Sequence, residues 1–315
     1  MKIAAAGSAY TFWKTVQTVS PNTVEEEAAR AFKVALIGTP ERRNWLKEQL
    51  LTEKATPAEQ EDAASYLSEF DETPDQDTAR AFSFLLYPGE PGQPVGARGA
   101  NSVPMVGELP ELIEKMLEHR PDMAIALARR FPRFRVPACN FMIQAISRVN
   151  AQIAVISALP GVLPWTSIFL PASSVADVIL LTKNQLVLVM RLAAAHGQRP
   201  GYRQVKELVG TFASAFGWRT LARQLAGFVP AGIGLVLKGS IAYSGTVAIG
   251  KAALWYYQTG RKPTNEEIQA AYEESKAEAR QVAEEVRGAV TGQLEEQRSQ
   301  KSDDGETARA EDSAN

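Results

Sequence analysis

Apolar and polar positions divide the chain into three textures. Residues 1 to about 118 mix polar helical stretches with short apolar runs, residues 119 to about 262 are strongly apolar, and the rest is polar and charged. In the first texture, "VALI" at 34–37 reads as a buried strand, followed by Gly38 and a helix-forming stretch. "AFSFLLY" at 81–87 reads as a second strand closed by Pro88 and Gly89, and "SVPMV" at 102–106 as a short third one after a glycine- and proline-rich loop. Strands alternating with helical segments predict a small parallel sheet.

In the middle texture Val149 to Ala176 carry no charge, but Pro160, Gly161, Pro164 and Pro171 interrupt them. The pattern predicts a helix ending near Leu159, a bent connector, and a new helix from about Ala172. Ser173 or Ser174 caps the start of that helix, and Gly197 follows its last turn. Further helices are predicted over about 205–228 and 235–257. On the second of these, Ser240, Ser244, Ala248 and Ala252 recur four apart, a packing seam of small residues that lets another backbone come close.

The final helix opens at Thr264, with Glu267 three residues on, the spacing of a capping box. Ile268, Tyr272, Ser275, Ala279, Val282, Val286 and Val290 then trace an apolar stripe. Packing back on the bundle is its expected use, with self-association into a homo-oligomer as the alternative. The expected organisation is a leading helical segment (1–30), an α/β region (31–118), an apolar helical bundle (119–262), an amphipathic helix (263–292) and a disordered tail (293–315). The fold class is therefore predominantly α: a small, degenerate P-loop-like α/β region followed by an α-helical bundle.

Charge and cysteine content narrow the function. With 34 basic against 36 acidic residues, the chain has no footprint for nucleic acid. Cys139 is the only cysteine, which excludes an internal disulfide and reads as a small core residue. Lys2 and the small residues after it lack the apolar core of a signal peptide. Phe12 and Trp13 beside Lys14 suit either an amphipathic first helix or a membrane interface.

The strand, glycine and helix order around Gly38 is that of a P-loop. That motif needs G-x-x-x-x-G-K-[ST], so that glycines curl the backbone round phosphate, lysine neutralises it and a hydroxyl holds magnesium. Here the run is Gly38-Thr39-Pro40-Glu41-Arg42-Arg43-Asn44-Trp45. Arg43 stands for the second glycine, Asn44 for the lysine and Trp45 for the hydroxyl. Pro40 removes an amide donor and Glu41 repels an anion. No bound nucleotide, metal or other cofactor is expected, and no catalytic residue. His119 and His196 lie far apart without companion ligands, and His196 beside Gly197 suits a cation or donor at a helix C-terminus.

Asp177, Asn184 and Arg191 are seven apart and share a helix face amid Leu and Val, a buried polar row. In lipid each central charge would cost about 2.5–3.5 kcal/mol, against a return of about 0.3–0.6 kcal/mol per apolar residue. That helix is not expected to span a bilayer by itself. On the helix over 235–257, Lys238 and Lys251 flank twelve uncharged residues, and Trp255, Tyr256 and Tyr257 suit an aromatic belt. Twelve is short of the roughly 20 that spanning needs. A shallow or peripheral membrane association therefore fits as well as spanning with both lysines snorkelling, and a soluble bundle fits as well as a membrane-associated one.

The middle texture resembles the YcjF-like family of function-unknown helical domains, which occur attached to Era-like GTPase domains. The resemblance lies in "NAQIAVISALPGVLP", "ADVILLTKNQLVLVMRLAAAHG", "ARQLAGFVPAGIG" and "AYSGTVAIGKAALWYYQTG", covering about residues 145–260. It implies a helical, membrane-associated module on the cytoplasmic side of a bacterial inner membrane. The stretch from Phe32 to Tyr87 is similar to the front of the attached GTPase domain, without its phosphate-binding residues. The expectation is a non-catalytic interaction module with a membrane or membrane-protein partner. A residual nucleotide-binding switch and a soluble scaffold assembling through the C-terminal helix are the alternatives.

Overall fold

The computed structural model describes residues 20–51, 55–87, 102–104, 109–158, 170–201 and 234–292; for 102–104, 109 and 170–179 it describes the backbone alone. The expected helices at Phe12–Trp13 and 205–228, the loop at 88–101, the connector near Pro160 and the tail at 293–315 lie outside these residues. The chain is predominantly helical with a small parallel α/β region.

The α/β region runs α1 (Pro21–Ala28), β1 (Val34–Ile37), α2 (Pro40–Leu50), α3 (Pro57–Ala64), β2 (Leu67–Phe70), α4 (Gln76–Ala79), β3 (Phe84–Tyr87) and β4 (Ser102–Pro104). The strands form one sheet in the order β2-β1-β3-β4, every pair parallel. Both faces of β1 are covered, which is why its sequence is continuously apolar rather than alternating. Val34 and Leu36 join Phe84 and Leu86 in the main core. Ala35 and Ile37 join Leu85, Tyr87 and Phe82 in a smaller cluster on the other face.

β2 is not among the strands expected from the pattern. Its sequence, Leu67-Ser68-Glu69-Phe70, is short and half polar because it sits at the sheet edge with only β1 beside it. Edge strands give a weak apolar signal and carry charge that discourages further pairing.

The helical part follows as α5 (Leu109–His119), α6 (Ala124–Arg130), α7 (Arg135–Ile156), α8 (Leu170–Ala195), α9 (Leu235–Thr259) and α10 (Asn265–Glu274), with a further helix, α11, over 276–292. The final helix is thus broken at Ser275, whose hydroxyl donates to the Tyr272 carbonyl. Its capping box forms in both directions. The Glu267 amide donates to Thr264 Oγ1 (3.3 Å), and the Thr264 amide donates to the Glu267 carboxylate (2.7 Å). Gly197 ends α8 with φ of 74°, a conformation that favours glycine.

α9 is the central helix, packed on α7, α8 and α10. The Gly239 end of α9 meets Val155 and its Gly250 end meets Ile143, so α9 runs antiparallel to α7. Ile268, Ala279, Val282 and Val286 are buried, so the C-terminal stripe is used within the chain's own bundle. One core joins sheet and bundle without a break. Phe32 stacks on Tyr66 and meets Phe131, and Met190 and Leu192 belong to the same cluster as Leu36. The leading helix α1 belongs to that unit too, lying on α8 and α6 with Val24 and Ala28 buried.

Candidate functional site

Ligands of open parallel sheets bind at the carboxyl ends of the strands. At that edge β1 ends in Gly38, whose φ of 140° lets the chain reverse, and whose amide donates to the Phe70 carbonyl (3.0 Å). α2 begins two residues later at Pro40, with Thr39 as N-cap. A phosphate-binding loop curls through several residues before its helix starts, and this connection is too short to curl.

Arg43 occupies the space behind the turn. It is buried, and its guanidinium donates to the Gly38 carbonyl and to Asp71, and to Glu69 at 3.3 Å. Lys47 reaches Glu69 from the next turn of α2 at 3.1 Å. Lys47, and after it Arg43, hold Glu69 below the usual carboxylate range. Two cations face two carboxylates, so the edge is neutral rather than anion-attracting. The helix start is served by the chain itself. Backbone and Thr39 hydrogen bonds keep the Glu41 carboxylate ionised there. Asn44 and Trp45 point outward, with Trp45 40% exposed.

The polar row on α8 separates into different contacts. Arg191 makes a two-pronged ion pair with Glu27 of α1 at 2.7 and 2.8 Å, both side chains about a quarter exposed. Asn184 donates to Asn150 Oδ1 of α7 (2.8 Å). Asp177 lies on the helix, but its side chain is outside the described residues. Asn184 leads into a network the sequence did not reveal. The Asn150 amide donates to Thr246 Oγ1 of α9 (2.9 Å), and Gln185 donates to the same oxygen (3.2 Å). Thr246 in turn donates to the Ala242 carbonyl.

On α9, Ser240 donates to the Val236 carbonyl and, at 3.3 Å, to Ala279 of α11, while Ser244, Ala248 and Ala252 are buried. The closest approach to α7 is made by different residues. A methyl placed on Gly250 would lie 2.5 Å from Ile143 Cγ1, and one on Gly239 would lie 2.8 Å from Val155 Cγ2. These two glycines, three turns apart, form the α7 contact line; the serine and alanine row lies to one side of it.

The remaining reactive groups are quiet. Burial pushes the Cys139 thiol up to about 12, so it stays protonated and inert at neutral pH. Burial lowers the His196 pKa; its Nδ1 donates to the Leu192 carbonyl at 2.8 Å, a neutral donor at the helix end rather than a cation. Among the described residues no group of acidic, histidine or cysteine side chains is placed to hold a metal ion. None of the described helices is long and apolar enough to cross a membrane. The chain matches no family model, no curated protein and no solved structure.

Proposed function

We propose that this protein is a non-catalytic interaction module that docks peripherally on a membrane, with a sheet edge that has exchanged phosphate for internal ion pairs. The observation that carries the docking is the apolar end of the bundle. The antiparallel helices place Asn150, Asn184 and Thr246 at one level. At about 1.5 Å per residue, Ile156 on α7, Leu180 on α8 and Leu237 on α9 all lie toward the same end from there. The bond from Lys238 to Ser157 (2.9 Å) holds the start of α9 against the end of α7.

Ile156, Leu180 and Leu237 are 42%, 44% and 50% exposed. Lys183 is exposed nearby. Exposed aliphatic side chains beside a lysine suit a shallow seat among lipid headgroups, with Lys183 toward anionic lipid.

The neutral cluster of Arg43, Lys47, Glu69 and Asp71 supports the absence of a nucleotide switch. The buried stripe on α10 and α11 argues against a scaffold that assembles through it.

The test is co-sedimentation with vesicles containing anionic lipid. The wild-type chain is expected to pellet with them, and Ile156→Glu with Leu237→Glu to leave it in the supernatant with an unchanged melting temperature. A wild-type chain that never pellets with vesicles, or a double variant that pellets as well, contradicts the proposal.

A further inference from the structure

A groove runs between α7, α9 and the α10–α11 pair, and two cavities along it share one cation. The first, of about 300 Å³, is walled by Val136, Leu254, Trp255, Pro263, Ile268 and Ala271. The second, of about 400 Å³, carries the carboxylates of Glu274 and Glu278. Lys251 and Asn140 line both. Trp255 and Val136 remain 39% and 43% exposed at the mouth of the first cavity.

The charges sort into a pattern. Glu267, the only carboxylate on the first cavity, is held in a two-pronged pair by Arg261, whose guanidinium also lies 5.0 Å over the Trp255 ring. Lys251 makes no ion pair among the described residues; its ammonium donates to Asn140 Oδ1 at 2.8 Å. That bond uses one of three ammonium protons and fixes the amide with its NH2 group still able to donate. A largely apolar cavity of ligand size therefore has both of these donors in its lining, one of them charged.

We propose that this groove binds a small amphipathic carboxylate. Its apolar body lies against Trp255, Leu254 and Ile268, and its carboxylate is held by Lys251 Nζ and the Asn140 amide. Glu274 and Glu278 beyond the lysine repel the head and stop it there, which sets the orientation and excludes dianions.

Calorimetric titration of the full chain with octanoate, octanol and octylamine, each below its micellar range, tests this. Octanoate is expected to bind saturably and the other two more weakly. Lys251→Gln keeps a donor for Asn140, and Lys251 is exposed, so the fold is preserved. The variant is expected to lose about tenfold in octanoate affinity, the scale of one charge-assisted bond, with octanol unchanged. No saturable octanoate binding, octanol binding equal to octanoate in the wild type, or an unchanged octanoate affinity in Lys251→Gln overturns the proposal.

Discussion

Asn150→Leu is expected to destabilise the protein by about 2–4 kcal/mol, because each buried polar group stripped of its partner costs about 1–3 kcal/mol. Asn150 is fully buried and serves two neighbours at once, accepting from Asn184 and donating to Thr246. Leucine fills nearly the same space but strips the half-buried Asn184 amide of its acceptor and leaves Thr246 with one donor, Gln185, instead of two. If this is the cause, Asn184→Leu added to Asn150→Leu recovers part of the loss, since paired apolar replacements remove the stranded group. Denaturant unfolding of the two single variants and the double variant gives the cycle. Additive losses would mean that Asn150 acts by shape alone.

The glycines of α9 are expected to respond to the same substitution with opposite signs. Gly→Ala in a helix gains about 0.5–1 kcal/mol from backbone entropy. At Gly250 and Gly239 the new methyl lands on Ile143 and Val155, close to their branch points, where neither can swing clear. Overpacking of this kind costs about 1–3 kcal/mol. The pair Gly239→Ala and Gly250→Ala is therefore expected to lose about 2–4 kcal/mol in total, because the sites lie three turns apart and add. A methyl on Gly245 meets no described atom within 4 Å. Gly245→Ala is expected to raise the melting temperature, and equal behaviour of all three glycines would remove the close α7–α9 approach from the account.

The fold was legible where one segment held the whole signal. The apolar run at Val34–Ile37, the Thr264–Glu267 box and Gly197 are local features, and each forms as its sequence reads. What escaped was what depends on a partner. Glu69 and Asp71 look like loop charges until β2 pairs beside β1 and carries them to Arg43. The row of Asp177, Asn184 and Arg191 carries no mark of its partners, which lie 34 residues away for Asn184 and 164 for Arg191. Thr246 is 96 residues from Asn150, a distance no periodicity spans. The small-residue row pointed to α9 as a close-packing helix, but only the position of α7 selects Gly239 and Gly250 as the contact line.

The sheet edge that would cradle a phosphate holds an arginine already neutralised by the chain's own carboxylates. Calorimetric titration of the full chain with a GTP analogue and magnesium addresses it directly. No saturable heat is expected at millimolar nucleotide, in the wild type and in Arg43→Ala alike. Saturable binding in the micromolar range that disappears in Arg43→Ala would contradict it.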